Sequence, residues 1–336
     1  MAEGDFDRQT FPAPLAPTAA APAANWFSDL QFHWDASITV RSSGVRITLK
    51  ELTAGELAKF FGYLGVVLWQ GLKARLRPGR RYRVWFTPAR PRPWYVVWSA
   101  ATLAGVRLAR NERHADAVFY FEDVTVGVPP RLAWGELING GCTDISKSRV
   151  AAAFETAADY ALALDPSRHR GIAVEKGEGN GLHDGQLVTC PTQPKPGKTY
   201  QHFIDSSDGQ TAFDYRTTII NRRPVFVLVK TKPAADRFSI HNATVVFKAL
   251  EEVFSAPEIA LLTRFAEAMK LDWAAIDVLR DRVSNRIYVV DVNKTDTGPA
   301  VDLSPGDREK LKTAIAAGFL ALIARRALPE CAPGKE

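Results

Sequence analysis

Three cysteines in 336 residues, Cys142, Cys190 and Cys331, are too few and too scattered for a disulfide framework, and no Cys-x-x-Cys pair suggests a zinc site. Such usage fits a reducing compartment, so a cytoplasmic protein is expected. Long apolar runs are also missing. No stretch reaches the ~18 residues that a membrane-spanning helix needs. The nearest candidate, Leu57 to Leu76, is interrupted by Lys59, Gln70, Lys73 and Arg75 and reads as a packed amphipathic helix. Basic residues follow at Arg75, Arg77, Arg80, Arg81 and Arg83, which leaves attachment to a membrane surface as an alternative. The N-terminus lacks the apolar centre of a signal peptide: residues 1–10 are acidic and polar, and 12–24 are a Pro/Ala tract. A disordered tail over 1–25 is expected. There is no Gly-Lys-Ser/Thr phosphate loop and no convincing Ser/His/Asp or Cys/His set.

What is present is an ordinary globular composition with a net charge of +6, a balance that favours an anionic partner without choosing among nucleotide, nucleic acid and acidic peptide. The length allows two or three modest domains. From Trp26 to about Gly140 the pattern is strand, helix, strand. A helix to about Leu76 stops at Arg77-Pro78-Gly79, Tyr82 to Phe86 is a strand, Trp94 to about Leu108 a helix, and Ala117 to Phe121 a strand. This is a small α/β domain over 26–140, and its Trp and Phe residues read as core. Asn139-Gly140-Gly141 marks the boundary. Beyond it Asp144 is expected to cap a helix over Ile145 to Leu162, with Lys147 in the first turn, where a cation opposes the helix dipole.

The later strands hold the polar residues of interest. Gly171 to Lys176 is a strand that runs into Gly177-Glu178-Gly179-Asn180-Gly181-Leu182-His183-Asp184-Gly185. Glycines allow positive φ and close approach of backbone to a ligand, and successive N–H groups in such a loop can cradle phosphate, although a hairpin tip would look the same. Tyr200 to Ile204, Ala212 to Ile220 and Val225 to Lys232 read as a three-stranded meander, with Asp214 and Arg216 on one face and Lys230 and Lys232 on one face. A polar loop over 236–246 follows, then a helix over 257–270 and a closing helix from Pro305 to Leu328. Between those helices lies a hairpin, Ala275 to Leu279 and Arg286 to Lys294. Strict alternation puts Asp291 and Asn293 on the face of Ile287 and Val289, and Asp277 on the face of Ala275 and Leu279. Two carboxylates and an amide oxygen then converge across one strand pair, a donor set suited to Mg²⁺. The class from Gly141 onward is α+β.

Over residues 141–300 this order of parts resembles the ATP-grasp superfamily, in which two α+β subdomains grip a nucleotide, and within it the carboxylate–amine ligases of the glutathione synthetase and ribosomal-protein-glutamate-ligase type. The resemblance implies an ATP-grasp domain over 141–330 preceded by the small α/β domain. It implies that Lys147 and Lys176 hold the α and β phosphates, that Gly179 and Gly181 belong to the phosphate loop, and that Gln201, Phe203 and Ile204 form the strand reading adenine. Asp277, Asp291 and Asn293 match the metal ligands, with Mg²⁺ as the ion and Mn²⁺ as an alternative. Arg216, Lys230 and Arg237 would face the γ phosphate and an acceptor carboxylate. Asp291 departs from the glutamate usual at its place, and the glycine pattern of the loop is shorter than usual.

The implied activity is an ATP- and Mg²⁺-dependent ligase joining a carboxylate to an amine through an acyl phosphate. Two alternatives stay open: a kinase of the same fold acting on a small molecule, and a non-catalytic ATP-binding module. Nucleic-acid binding rests only on Arg75 to Arg92 with Trp85, Trp94 and Tyr95 interleaved, and a packed core with a basic rim is the expected account, so no nucleic-acid partner is expected.

Overall fold

The computed structural model describes residues 30–35, 37–40, 46–47, 54–133, 135–182, 184–237, 243–298 and 303–327; the tail expected over 1–25 lies outside them. The elements in chain order are β1 (Leu30–Phe32), β2 (Ile38–Val40), β3 (Arg46–Ile47), α1 (Ala54–Leu76), β4 (Arg83–Pro88), α2 (Val96–Leu103), β5 (Arg107–Leu108), β6 (Ala117–Phe121) and β7 (Leu137–Ile138). There follow α3 (Lys147–Ala158), β8 (Gly171–Gly177), β9 (Gln186–Cys190), β10 (Lys198–His202), β11 (Thr211–Ile220), β12 (Arg223–Pro233), β13 (Thr244–Ala249), α4 (Ala256–Ala268), β14 (Trp273–Arg280), β15 (Ile287–Asn293) and α5 (Pro305–Arg326). No described helix is long and apolar enough to cross a membrane.

The βαβ expectation holds: β4 and β6 pair in parallel, within a sheet ordered β5-β4-β6-β7. The helix between them is shorter than its apolar run. Gly105 takes φ +72 just past the end of α2, and Arg107–Leu108 turns into an edge strand rather than continuing the helix. The cap of α3 also moves. Ser146, not Asp144, is the N-cap, accepting from the Arg149 N–H, while Asp144 accepts from the Ser146 N–H at 2.8 Å.

Residues from 171 onward form two antiparallel sheets, one ordered β10-β8-β9 and one ordered β13-β12-β11-β14-β15. The expected meander is therefore divided. β10 pairs with β8 and the chain crosses to the larger sheet before β11, whose register partners are β12 and β14. β13 lies at the end of the stretch read as a polar loop.

Each face of the five-stranded sheet has its own core. Ile219, Val227, Ala274, Ile276, Val278 and Val292 pack against α3 and α4. On the opposite face Ile220, Phe226, Leu228 and Trp273 pack with α5 and with side chains of the parallel sheet and its helices. The second core thus runs across residue 140, joining the N-terminal elements to the closing helix.

One irregularity sets the orientation of the polar residues. Asp277 pairs with Asp291, but its neighbour Val278 pairs with Val289, so Val290 is an extra residue, a β-bulge on the edge strand. Ile287 and Val289 therefore point into the first core together with Val292, while Asp291 and Asn293 point to the other face. Strict alternation predicted Asp291 and Asn293 on the face of Ile287 and Val289; the bulge separates them.

Candidate nucleotide and metal site

Cross-strand partners share a face, so the register reads out the site directly. One row across the sheet is Leu228, Arg216, Asp277, Asp291; the next is Phe226, Thr218, Ala275, Asn293; on the other side of Arg216 lies the pair Asp214 and Lys230. The apolar members at the β12 end belong to the second core. The charged members begin where that core stops.

Arg216 is the centre of the row. One guanidinium nitrogen donates to both Asp277 carboxylate oxygens, at 3.0 and 3.2 Å, and another donates to Asp296. Burial opposes the charge on Arg216, and the two carboxylates more than offset it, raising its pKa. Burial likewise pushes Asp277 up, but Arg216, Lys230 and Lys147 together hold it below the usual carboxylate range. Asp214 is the opposite case. Burial, reinforced by Asp277, pushes its carboxyl up to about 6, and its buried Oδ1 has no hydrogen-bond partner. The Lys230 pKa is lowered by burial and then by Arg216. Asn293 Nδ2 donates to Asp277 at 3.3 Å.

The remaining cations arrive at the β15 edge. Lys147, buried at the start of α3, donates to Asp291 Oδ1. Lys176, at the end of β8, donates to the carbonyl of the bulge residue Val290 at 3.4 Å, so the smaller sheet leans on the larger one there. Burial, with Lys147 close by, lowers the Lys176 pKa to about 8. Gln201 pairs with Val174, two residues before Lys176, and so shares the Lys176 face. It is 1% exposed and its side-chain Nε2 has no partner, which leaves an amide donor buried on the face of the smaller sheet that carries Lys176.

Other expected residues stand elsewhere. Arg237 stacks on Phe203, 4.8 Å from its ring centroid, and donates to Asp205 at 3.2 Å. Ile204 is buried in the first core. In the glycine-rich loop Gly181 has φ +73, but the Gly177 N–H is taken by Asp184 and the Asn180 N–H by Thr125, so those two amides are committed within the protein. Asp296 was not anticipated. It lies in a Lys-Thr-Asp-Thr turn just past β15, and only its position three residues beyond Asn293 hinted at it.

Asp277 and Asp291 opposed across neighbouring strands, with Asn293 one row on, are hard oxygen donors of the kind Mg²⁺ takes. The residues present fit that ion.

The sequence matches no protein-family model and no curated protein. Structural likeness is found, however, with the ATP-grasp ligase PsnB complexed with a phosphomimetic variant of minimal precursor, Mg and ADP: 10% identity, 72% of this chain and 99% of that one, TM-score 0.46. An L-amino acid ligase from Bacillus licheniformis matches at 11% identity over 73% of this chain and 75% of that one, with TM-score 0.42. A D-alanine–D-alanine ligase from Bacillus anthracis complexed with ATP is a third, at 10% identity, 73% and 97% coverage, and TM-score 0.41. The placement of each residue rests on the geometry above.

Proposed function

We propose that this chain is an ATP-dependent ligase that joins a carboxylate to an amine. The observation that carries the reading is the row Arg216–Asp277–Asp291 on one sheet face, closed at its edge by Lys147 and Lys176. Asp277, Asp291 and Asn293 would hold Mg²⁺, or Mn²⁺ in its place, which when bound supplies charge neutralisation to the phosphates. Lys147 and Lys176 would then turn from the hairpin to phosphate oxygens as point charges. Gln201, with its buried donor on the Lys176 face, suits a nucleobase acceptor atom.

A substrate carboxylate oxygen attacks the γ phosphorus and ADP leaves; an amine then attacks the acyl carbon and phosphate leaves. Arg216 and Lys230 stand where charge develops on the transferring group, and preorganised cations of this kind lower the barrier without a side-chain nucleophile. The division into an α/β region over 26–140 and a grasp over 141–330 belongs to the same proposal.

The test is ADP release from ATP and Mg²⁺ across a panel of carboxylates, with hydroxylamine as the trapping amine. Hydroxamate equal to ADP supports the ligase. ADP with a phosphorylated product and no hydroxamate would make it a kinase, and nucleotide binding without ADP would make it a binding module.

A further inference from the structure

Helix α1 has two apolar faces. Tyr63, Val67 and Gly71 are buried and pack inward, and a Cβ at Gly71 would stand 2.6 Å from the Thr102 carbonyl oxygen, so the helix sits hard against α2. The outer face carries Phe61, Leu68, Leu72 and Leu76, which are 61%, 49%, 50% and 72% exposed. Their spacing keeps them on one side of a helix, in a row about 22 Å long. Trp69 lies beside the row with the Lys73 ammonium 4.9 Å from its ring centroid.

The row ends among cations. Arg75, Arg77, Arg80 and Arg81 surround the C-terminus of α1, and Arg107 stands on the edge strand β5. Two grooves border this end. One, of about 640 Å³, lies between α1, the following turn and α5, with Leu320 on its far wall; the other, of about 620 Å³, lies between Leu72, Leu76 and Leu108. Leu108 and Leu320 are themselves 40% and 39% exposed. Glu309 is the one carboxylate residue lining either groove among the described residues, and it is bonded to Lys312. None of these residues belongs to the nucleotide site.

We propose that the outer face of α1, with the groove between Leu72, Leu76 and Leu108, docks an acidic amphipathic segment of a polypeptide partner. The anionic character follows from charge complementarity to the arginines around the grooves. A polypeptide is favoured over a bilayer because Leu72, Leu76 and Leu108 line a groove, into which side chains fit and a planar headgroup surface does not. A second copy of the chain is disfavoured because a two-fold contact of this patch with itself brings like charges together. The inference does not depend on the ligase reading.

The experiment uses the full chain and a fluorescein-labelled helical peptide of about 16 residues with Leu at helical i, i+3/i+4 spacing and Glu elsewhere. Fluorescence anisotropy is expected to give a Kd on the order of 10 µM that weakens with salt. Leu72→Glu and Arg81→Glu should each weaken binding roughly tenfold, with the melting temperature and nucleotide binding unchanged. No peptide binding, equal binding of a scrambled peptide of the same composition, or indifference to both substitutions would overturn the proposal. So would sedimentation with phosphatidylserine vesicles without peptide binding, which would assign the face to a membrane. A dimer in analytical ultracentrifugation that Leu72→Glu dissociates would overturn it in favour of a second copy.

Discussion

Asp277 and Asp291 are direct cross-strand partners, yet each carboxylate is held by a different cation, Arg216 for the first and Lys147 for the second. Each carboxylate thus faces a cation of its own, which an incoming metal ion would have to replace. Asp291→Ala or Asp291→Asn removes that charge and leaves the buried Lys147 without its partner, so ADP release should fall by roughly two to three orders of magnitude. Asp291→Glu should keep measurable turnover, since the longer arm presents the same group. Asn293→Ala, which removes a neutral ligand, should lose less than Asp277→Asn. ATP should raise the melting temperature far more with Mg²⁺ than in EDTA. Parental turnover in Asp291→Ala would remove the hairpin from the site.

The bulge offers a separate handle. Deleting Val290 gives β15 a regular alternation in which Ile287, Val289 and Val292 still face the core and Asp291 and Asn293 still face the cleft. The fold should therefore survive, with a stability change within ~1–2 kcal/mol. What goes is the carbonyl that Lys176 reaches and the extra local twist that aims Asp291. Nucleotide affinity and ADP release should drop about tenfold or more while thermal melting stays cooperative. An unchanged affinity would make the bulge incidental.

The contrast between bulge and hairpin explains what the sequence discloses. The hairpin was legible because β-branched runs flank a polar turn and because polar residues inside such runs are costly unless they have partners. Which face they occupy was not legible, since one unpaired residue inverts the parity of everything beyond it and Val290 looks like any other strand valine. Likewise β10 reads correctly as a strand but its partner does not follow from sequence proximity: its register partners run from Lys198↔Gly177 to His202↔Ala173. Order in the chain points Arg237 to the phosphate end, while an aromatic ring and a carboxylate nearby, Phe203 and Asp205, hold it. Asp296 escaped notice because its role is to pair with a buried arginine, and pairing across eighty residues leaves no local pattern.

Lys176 gives a pH test of the nucleotide cleft. With its pKa lowered to about 8 by burial and by Lys147, the free protein loses that proton as the pH passes 8. A polyphosphate beside it favours the charged form, so binding above that pH takes up a proton and becomes weaker as the pH rises, by at most about tenfold per unit. Titration calorimetry in two buffers of different ionisation enthalpy should show proton uptake near zero at about pH 6.5 and rising toward one at about pH 9. Lys176→Arg, which stays charged, should flatten the dependence. A constant proton count across that range would take Lys176 out of the nucleotide site.

Asp214 tests the buried charge balance behind the row. Its folded pKa, about 6, lies above the ordinary carboxyl value of 3.8, because burial and then Asp277 disfavour the charged form. The native state therefore binds the proton more tightly than the unfolded chain. Its contribution to stability is present in full below the unfolded value and is lost as the pH rises through about 6. Asp214→Asn mimics the protonated form, so it should be close to neutral near pH 4 and stabilising near pH 7.5, by up to ~3 kcal/mol, less whatever the paired strand neighbour Lys230 loses with its counter-charge. The measurement is the difference in melting temperature between variant and parent at those two pH values. Glutamate uptake of the same position would be a poor substitute, since it keeps the charge; asparagine isolates it. A gain at pH 7.5 no larger than the gain at pH 4 would mean that Asp214 is ionised at no cost, and that the carboxylate pair with Asp277 is balanced by Lys230 and Arg216 without strain on either.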